Sequence, residues 1–438
     1  MGLYYLYSMD IERLYRLYRN SSGITTDSRT VRKGEIFFAL KGPAHDGNRH
    51  ALAAIEAGAL AAVADDQSLS GDGIVVVEDV LQTMTELATW HRRRLTMPVI
   101  AITGTNGKTT TKELVTAVLS RKGKVHSTTG NLNNHIGVPL TLLSAPDDAA
   151  FLVVEMGANH MGEIAALCRT AMPTHGIITN IGTAHIEGFG SFENVRRAKS
   201  ELYRWLAGNS GTVIYNDENP VLRELASGIE HTESYSSPRG HRLTAKADTD
   251  GGMLLNVSAV VDGATFRFDT GLFGSYNIDN VRAAMTTGLV FDVPVDAIID
   301  AISSYRPANN RSQVTETGRN TMIRDAYNAN PSSMEKAIAS FALLKAKKKM
   351  VILGDMLELG TETASGHAAV VRQLKGLGEL TALLVGPKFR EAAGDFPAKL
   401  FATSEDAAEW LRAEKPEGYT VLVKGSRGIM LEKVYPLL

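Results

Sequence analysis

The 438-residue chain has a single cysteine, Cys168, so it has no internal disulfide framework and fits a reducing compartment. It has no surplus of one charge: the formal net charge of -2 gives no reason to expect nucleic acid as a partner. No apolar run is long enough for a membrane span. The first residues carry Tyr4, Tyr5 and Tyr7 followed by Asp10 and Glu12, which does not read as a signal peptide. Met1-Gly2 would open a myristoylation signal, but Leu6 stands where Ser or Thr is required. Internal repeats and low-complexity tracts are absent too. What remains is a cytoplasmic globular protein, 44% hydrophobic and 21% charged, too long for one ordinary core.

Three blocks can be read along the chain. Residues 1–97 hold short strand-like runs, Ile36–Leu40 and Ile74–Val77, around a helix-like Arg49–Ala59, and a helix over about Val80–Leu95 closes the block. Residues 98–311 alternate apolar runs (Val99–Thr103, Phe151–Glu155, Gly176–Asn180, Thr212–Tyr215) with helical patterns. That pattern predicts an α/β fold with a parallel sheet covered on both faces. Leu254–Phe268 instead alternates like an antiparallel ribbon. Residues 312–438 return to strand and helix at Met322–Asp325, Met350–Gly354, Leu383–Gly386 and Thr420–Val423.

The strand Val99–Thr103 runs into Gly104-Thr105-Asn106-Gly107-Lys108-Thr109-Thr110 and then a helix to about Arg121. Strand, glycine turn and helix N-terminus in that order form a phosphate cradle of inward N–H groups. Lys108 would reach the β/γ-phosphates and Thr109 a Mg²⁺ ion. Ile102 stands where the full P-loop pattern has glycine, so the match is to a shortened form; taken alone, Gly-Lys-Thr can also be an ordinary turn.

Three polar residues interrupt apolar patterns, which tends to mark function. Glu155 ends a buried run at the carboxyl end of a strand, where open α/β sheets bind ligands; a solvated strand end is the plainer explanation. His185 also follows a strand, though a lone loop histidine is commonly a bystander. Lys199 falls on a helical stripe with Phe192, Val195, Leu202 and Leu206, so it must either snorkel or be buried. A buried lysine can shed its charge, and one that captures CO₂ becomes a carbamate, an anionic metal ligand. Asn133 and Asn134 are accounted for by a polar turn.

Taken together, these segments resemble the Mur ligase family over essentially the whole chain. Gly104–Thr109 is similar to its ATP loop, missing glycine included, and Glu155, His185 and Lys199 to its metal-binding glutamate, histidine and carbamylated lysine. Asn280 resembles the asparagine that contacts adenine, and Arg311 and Asp325 the pair at the junction with the C-terminal domain. Asn134, or else Asn133, matches the asparagine before Ile-Gly.

The resemblance implies three domains: a small N-terminal α/β unit for a uridine nucleotide, a central P-loop domain and a C-terminal Rossmann-like domain. Asp325–Pro331, Gly354–Gly360 and Lys424–Arg427 resemble the branch that adds D-alanyl-D-alanine to UDP-N-acetylmuramoyl-tripeptide. Thr26–Arg29 and Phe38–Gly42 resemble the nucleotide domain shared with the diamino-acid-adding branch, although Asn48 stands where relatives often carry histidine. The Asp-Asn-Pro-Arg signature of that second branch is absent. Implied substrate contacts are Ser28, Arg29, Asn134, Asn328, Asn330 and Lys424. Implied cofactors are ATP and Mg²⁺, one ion on Thr109 and Glu155 and a second on His185 and carbamylated Lys199, with Mn²⁺ admitted by the histidine. The implied enzyme is a cytoplasmic monomer forming a C–N bond through an acyl phosphate. The alternatives are a diamino-acid-adding ligase, a folylpolyglutamate synthetase and a non-catalytic nucleotide-binding module.

Overall fold

The computed structural model describes residues 10–182, 186–248 and 252–438. Three parallel or largely parallel sheets follow one another along the chain. The first has four parallel strands in the spatial order Ile24–Thr25, Ile36–Phe38, Ala61–Ala64, Ile74–Val76. The expected helix over Arg49–Ala59 is shorter, a 3₁₀ turn Gly47–His50 leading into Ala51–Glu56. Asp46 sets its start by capping the turn at the Asn48 N–H.

The helix Val80–Arg92, capped by Asp79 at the Gln82 N–H, carries this unit onto the central one. Its buried face (Val80, Met84, Leu87, Ala88) shares one hydrophobic core with Leu14 of the helix Ile11–Arg19 and Leu142, Val154 and Leu167 of the central region. Arg92 is buried because it ends a neighbouring helix. Its Nε donates to the Ala171 carbonyl at 2.7 Å and a terminal nitrogen to Met172 at 2.9 Å, taking up carbonyls that helix Glu163–Ala171 leaves unpaired.

The central sheet has six parallel strands in the order Thr232–Ser234, Thr212–Tyr215, His175–Ile178, Val99–Thr103, Phe151–Glu155, Val125–Ser127. Val99–Thr103 lies at its middle and is buried at every position. The strand order reverses there, so the loops leaving it and its neighbours open a crevice at their carboxyl ends. On one face, Lys108–Leu119 packs against Ile278–Val290, whose residues from Asn280 onward are all buried. The antiparallel ribbon is present as Leu254–Val261 paired with Ala264–Phe273, joined by a third strand, Leu243–Asp248.

The last sheet is mixed. Gln313–Glu316 is its antiparallel edge, followed by parallel Thr321–Asp325, Thr420–Lys424, Lys349–Gly354, Thr381–Val385 and Lys399–Phe401. The carboxyl ends of its first three parallel strands carry loops towards the phosphate-loop end of the central sheet.

Candidate active site

A cleft of about 650 Å³ lies where the loops of the central and last sheets meet. Its floor is the phosphate loop. Gly104 has φ +136°, and a Cβ there would come within 2.1 Å of the Thr179 hydroxyl; at Gly107, φ +81°, it would come within 2.4 Å of Asn280 Oδ1. Only glycine lets this backbone sit so close to its neighbours. The Lys108 ammonium curls back over the loop, donating to the Gly104 carbonyl at 2.8 Å and the Thr105 carbonyl at 2.9 Å. Loss of solvent pulls its pKa down to about 8, opposed by Glu155 and assisted by Arg311. Thr109 and Thr110 are buried against the cleft at the first turn of the helix.

Glu155 stands beside this loop, because Phe151–Glu155 pairs with Val99–Thr103 so that Glu155 lies opposite Ile102. The residue is 1% exposed. Its Oε1 accepts from Asn133 Nδ2 at 2.7 Å, while Oε2 is buried with no hydrogen-bond partner among the described residues. A buried carboxylate oxygen left unpaired is costly, and a hard divalent cation is the group that would offset it. With the Thr109 hydroxyl nearby in the cleft, the donor set consists of oxygens and fits Mg²⁺. Among the described residues no group of three His, Cys, Asp or Glu side chains converges on a metal position, and His185 lies outside them.

Lys199 does not snorkel. It is 2% exposed, with its ammonium 3.4 Å from the Ala158 carbonyl and 5.6 Å from the Phe189 ring. Loss of solvent, helped by Lys108 and opposed by Glu163 and Glu201, pulls its pKa down to about 7. The expected stripe is corrected at one end. Val195, Leu202 and Leu206 are buried with Lys199, but Phe192 is 42% exposed. Phe192 opens a helix that stops at Lys199; Ser200 caps it and starts a second helix, Glu201–Gly208, so the five residues do not lie on one continuous helix.

The paired asparagines both line the cleft and divide the work between them. Asn134 lines the cleft, but its Oδ1 accepts the N–H groups of Ile136 and Gly137 and so holds the turn, while Asn133 reaches Glu155. Ser28 and Arg29 are not part of this cleft. They sit in the loop after Ile24–Thr25, where Arg29 pairs with Asp27 at 2.7 Å.

The last sheet supplies the opposite wall. Asp325 accepts from Lys424 Nζ at 2.7 Å and from the Ser312 N–H at 3.1 Å, and Asn328, Asn330 and Lys424 line the cleft. Asn280 accepts from Thr111 and donates to Asn277, which fixes its amide beside Gly107. Arg311 lies between two left-handed residues, Asn310 (φ 56°) and Ser312 (φ 50°), and its guanidinium stacks 3.8 Å over the Tyr327 ring. Such strained backbone at the crossing between the two sheets is held by surrounding bonds: Ser312 Oγ meets Tyr276 at 2.8 Å and Asn277 at 3.1 Å.

One contact not foreseen from the sequence ties the wall to the floor. Asn330 Nδ2 donates to Asn106 Oδ1 at 2.8 Å, and Asn106 Nδ2 donates to Ser332 Oγ at 2.9 Å. The Asn106 N–H meanwhile donates to Asn180 Oδ1 at 3.0 Å, so the loop is held from both sides. Asn330 also caps the helix Pro331–Ala342, aiming its positive end at the phosphate loop.

Comparison with known proteins agrees with this arrangement. Residues 20–101 match the Mur ligase family, catalytic domain; residues 102–288 the Mur ligase middle domain; residues 310–427 the Mur ligase, glutamate ligase domain. The UDP-N-acetylmuramoyl-tripeptide–D-alanyl-D-alanine ligase of Bacillus subtilis is 32% identical, over 94% of this chain and 92% of its own length. The Escherichia coli ligase of the same name is also 32% identical, with the same coverage. Among solved structures, MurF from Acinetobacter baumannii superposes with a TM-score of 0.84 at 29% identity, over 96% of this chain and 97% of that one. MurF ligase from Thermotoga maritima in complex with ADP gives 0.83 at 27%, with the same coverage.

Proposed function

The chain belongs to the Mur ligase family, and we propose that it joins D-alanyl-D-alanine to UDP-N-acetylmuramoyl-tripeptide in an ATP-driven, C–N bond-forming step of peptidoglycan-precursor synthesis. The observation that carries this reading is the clasp of Asn106 by Asn330 and Ser332. It closes a cationic wall over a phosphate loop and so makes a chamber for a water-sensitive intermediate. The names of the relatives support the choice of substrates.

A carboxylate is a poor acyl donor, so its oxygen first attacks the γ-phosphorus of ATP and ADP leaves. The amine then attacks the acyl carbon, the C–O bond breaks and phosphate departs with that oxygen. Loop N–H groups and Lys108 hold the phosphates, and Arg311 is placed to meet charge on the transferring group. Asn280 would fix the adenine, and Asp325 orients Lys424. Thr109 and Glu155 would hold one Mg²⁺, and His185 with Lys199 as its CO₂-derived carbamate a second, with Mn²⁺ as a substitute; such ions screen phosphoryl charge. Ser28 and Arg29 would serve the uridine nucleotide away from the cleft. Asn134 would act through the turn it holds.

We assign residues 1–97, 98–311 and 312–438 as nucleotide-substrate, ATP and amine-side domains. One chain supplies the whole described wall of the cleft, so a monomer suffices. Among the described residues no helix is long and apolar enough to cross a membrane, which suits a cytoplasmic enzyme working on soluble nucleotides.

The test is phosphate release across a panel of UDP-muramoyl peptides and amines, with the product identified by mass. The tripeptide with D-alanyl-D-alanine should be fastest. Preferred addition of lysine or diaminopimelate to the dipeptide precursor would refute the assignment.

A further inference from the structure

Among the described residues five lysines and arginines line the cleft: Lys108, Arg311, Lys336, Lys424 and Arg427. Four have an evident assignment. Lys108 is bonded to the phosphate loop, and Arg311 is stacked at the crossing between sheets. Lys424 is 3% exposed and neutralised by Asp325. Lys336 lies one helical turn beyond Ser332, whose hydroxyl meets Asn106, so it overlooks the phosphate loop.

Arg427 is different. It is exposed at the cleft, and among the described residues no carboxylate lies within ion-pair distance of it. Its guanidinium sits 5.4 Å from the centroid of the Tyr327 ring, which also carries Arg311.

The turn that presents Arg427 is rigid. The Ser426 N–H donates to the Asp355 carbonyl at 3.2 Å, and Ser426 Oγ accepts the Leu357 N–H at 2.9 Å. Asp355 is in turn held by the N–H groups of Lys388 and Phe389. Leu357, 43% exposed, lies so close to Gly428 that a Cβ there would come within 2.9 Å of its methyl. The arrangement is an exposed guanidinium carried on a rigid turn, beside the Tyr327 ring and a small apolar surface.

We propose that Arg427 binds the C-terminal carboxylate of the incoming dipeptide, with Leu357 beside its terminal methyl, and so selects an amine substrate that carries a free carboxylate. The inference rests on the ligase reading above. The dipeptide is a zwitterion, and its amine must be unprotonated and directed at the acyl carbon. Its other end, roughly 7 Å away when extended, is the handle by which it can be oriented. A guanidinium matches a carboxylate with two parallel hydrogen bonds, which fixes direction as well as place.

The experiment compares D-alanyl-D-alanine with its C-terminal amide in the wild type, Arg427→Gln and Arg427→Lys, with saturating ATP and tripeptide. The wild type should favour the free acid by ~10- to 100-fold in kcat/KM, since a site built to bind a group rejects the analogue lacking it. Arg427→Gln should raise KM for the acid by a similar factor, leave the amide nearly unchanged and keep the KM for ATP. Arg427→Lys should fall between, having charge without the fork. A wild type that uses acid and amide alike, or a Gln variant that keeps the preference, overturns the assignment while the ligase reading stands. Ligation of neither compound, with another amine accepted, refutes the assignment of D-alanyl-D-alanine as the amine substrate and this inference with it.

Discussion

Replacing Lys199 by methionine should stabilise the protein and inactivate it. The side chain is 2% exposed and its ammonium has one long contact, 3.4 Å to the Ala158 carbonyl. Its pKa falls from the ordinary 10.5 to about 7, and each unit is worth about 1.4 kcal/mol, so holding the charged lysine in the fold costs on the order of 5 kcal/mol. The sign follows from proton counts. Below pH 7 the lysine is charged in both states and the full penalty applies. Between pH 7 and 10.5 only the unfolded chain holds the proton, so the penalty shrinks as pH rises and vanishes near 10.5. Methionine has nearly the same length and no charge, and such exchanges recover ~1–4 kcal/mol.

Thermal unfolding in metal-free, CO₂-depleted buffer should therefore show Lys199→Met above the wild type at pH 6.5, with the gap narrowed at pH 9 by about half of the charge penalty and closing only towards pH 10.5. The same variant should lose ligation, because methionine cannot become a carbamate. Lys199→Ala should also be inactive but recover part of its rate with acetate or propionate, which can fill the carbamate's place. A gap that does not change with pH, or a methionine variant that ligates normally, would refute the reasoning.

Glu155→Gln keeps the oxygen that accepts from Asn133 and removes the charge, so it should fold normally yet lose turnover on the order of a hundredfold, with a raised Mg²⁺ requirement in a metal titration; an unchanged Mg²⁺ dependence would count against a metal at the unpaired oxygen. Lys108→Ala should stay folded by circular dichroism and lose ligation by on the order of a hundredfold or more; near wild-type turnover would remove the phosphate loop from the mechanism. Ser332→Ala deletes the bond from Asn106 and the one from Ser332 Oγ to Asn330 Oδ1, while the Ser333 N–H still donates to Asn330; at ~1 kcal/mol for the lost clasp bond, a form with the two sheets parted should gain about fivefold in population by small-angle scattering; identical scattering curves would show that the clasp does not hold the cleft shut.

How much of this was legible in the sequence varied with how local the cause is. Val99–Thr103, Phe151–Glu155 and Thr212–Tyr215 begin and end where the apolar runs do, since a strand buried on both faces must be apolar throughout. Ala61–Ala64 escaped notice because an alanine-rich run has little strand character of its own and owes its state to pairing with Ile36–Phe38 and Ile74–Val76. Glu155 and Lys199 were visible as polar residues in apolar company. The failure at Phe192 came from taking two helices for one, a break at Ser200 that no glycine or proline announces. Asn133, Tyr327 and Arg427 carried no local signal of their positions in the site. Their places depend on Glu155, on Arg311 and on the loop at Asp355, segments brought together only by the sheets.

The central claim, that a carboxylate is activated by phosphoryl transfer before the amine attacks, has a direct isotopic test. UDP-N-acetylmuramoyl-tripeptide labelled with ¹⁸O in both oxygens of the reacting carboxylate is ligated to D-alanyl-D-alanine, and the released phosphate is analysed by mass. The mechanism requires one ¹⁸O atom in each phosphate, because the oxygen that attacked the γ-phosphorus leaves with it. Phosphate released without the label would mean that ATP is hydrolysed by water, and the ligase account would fail.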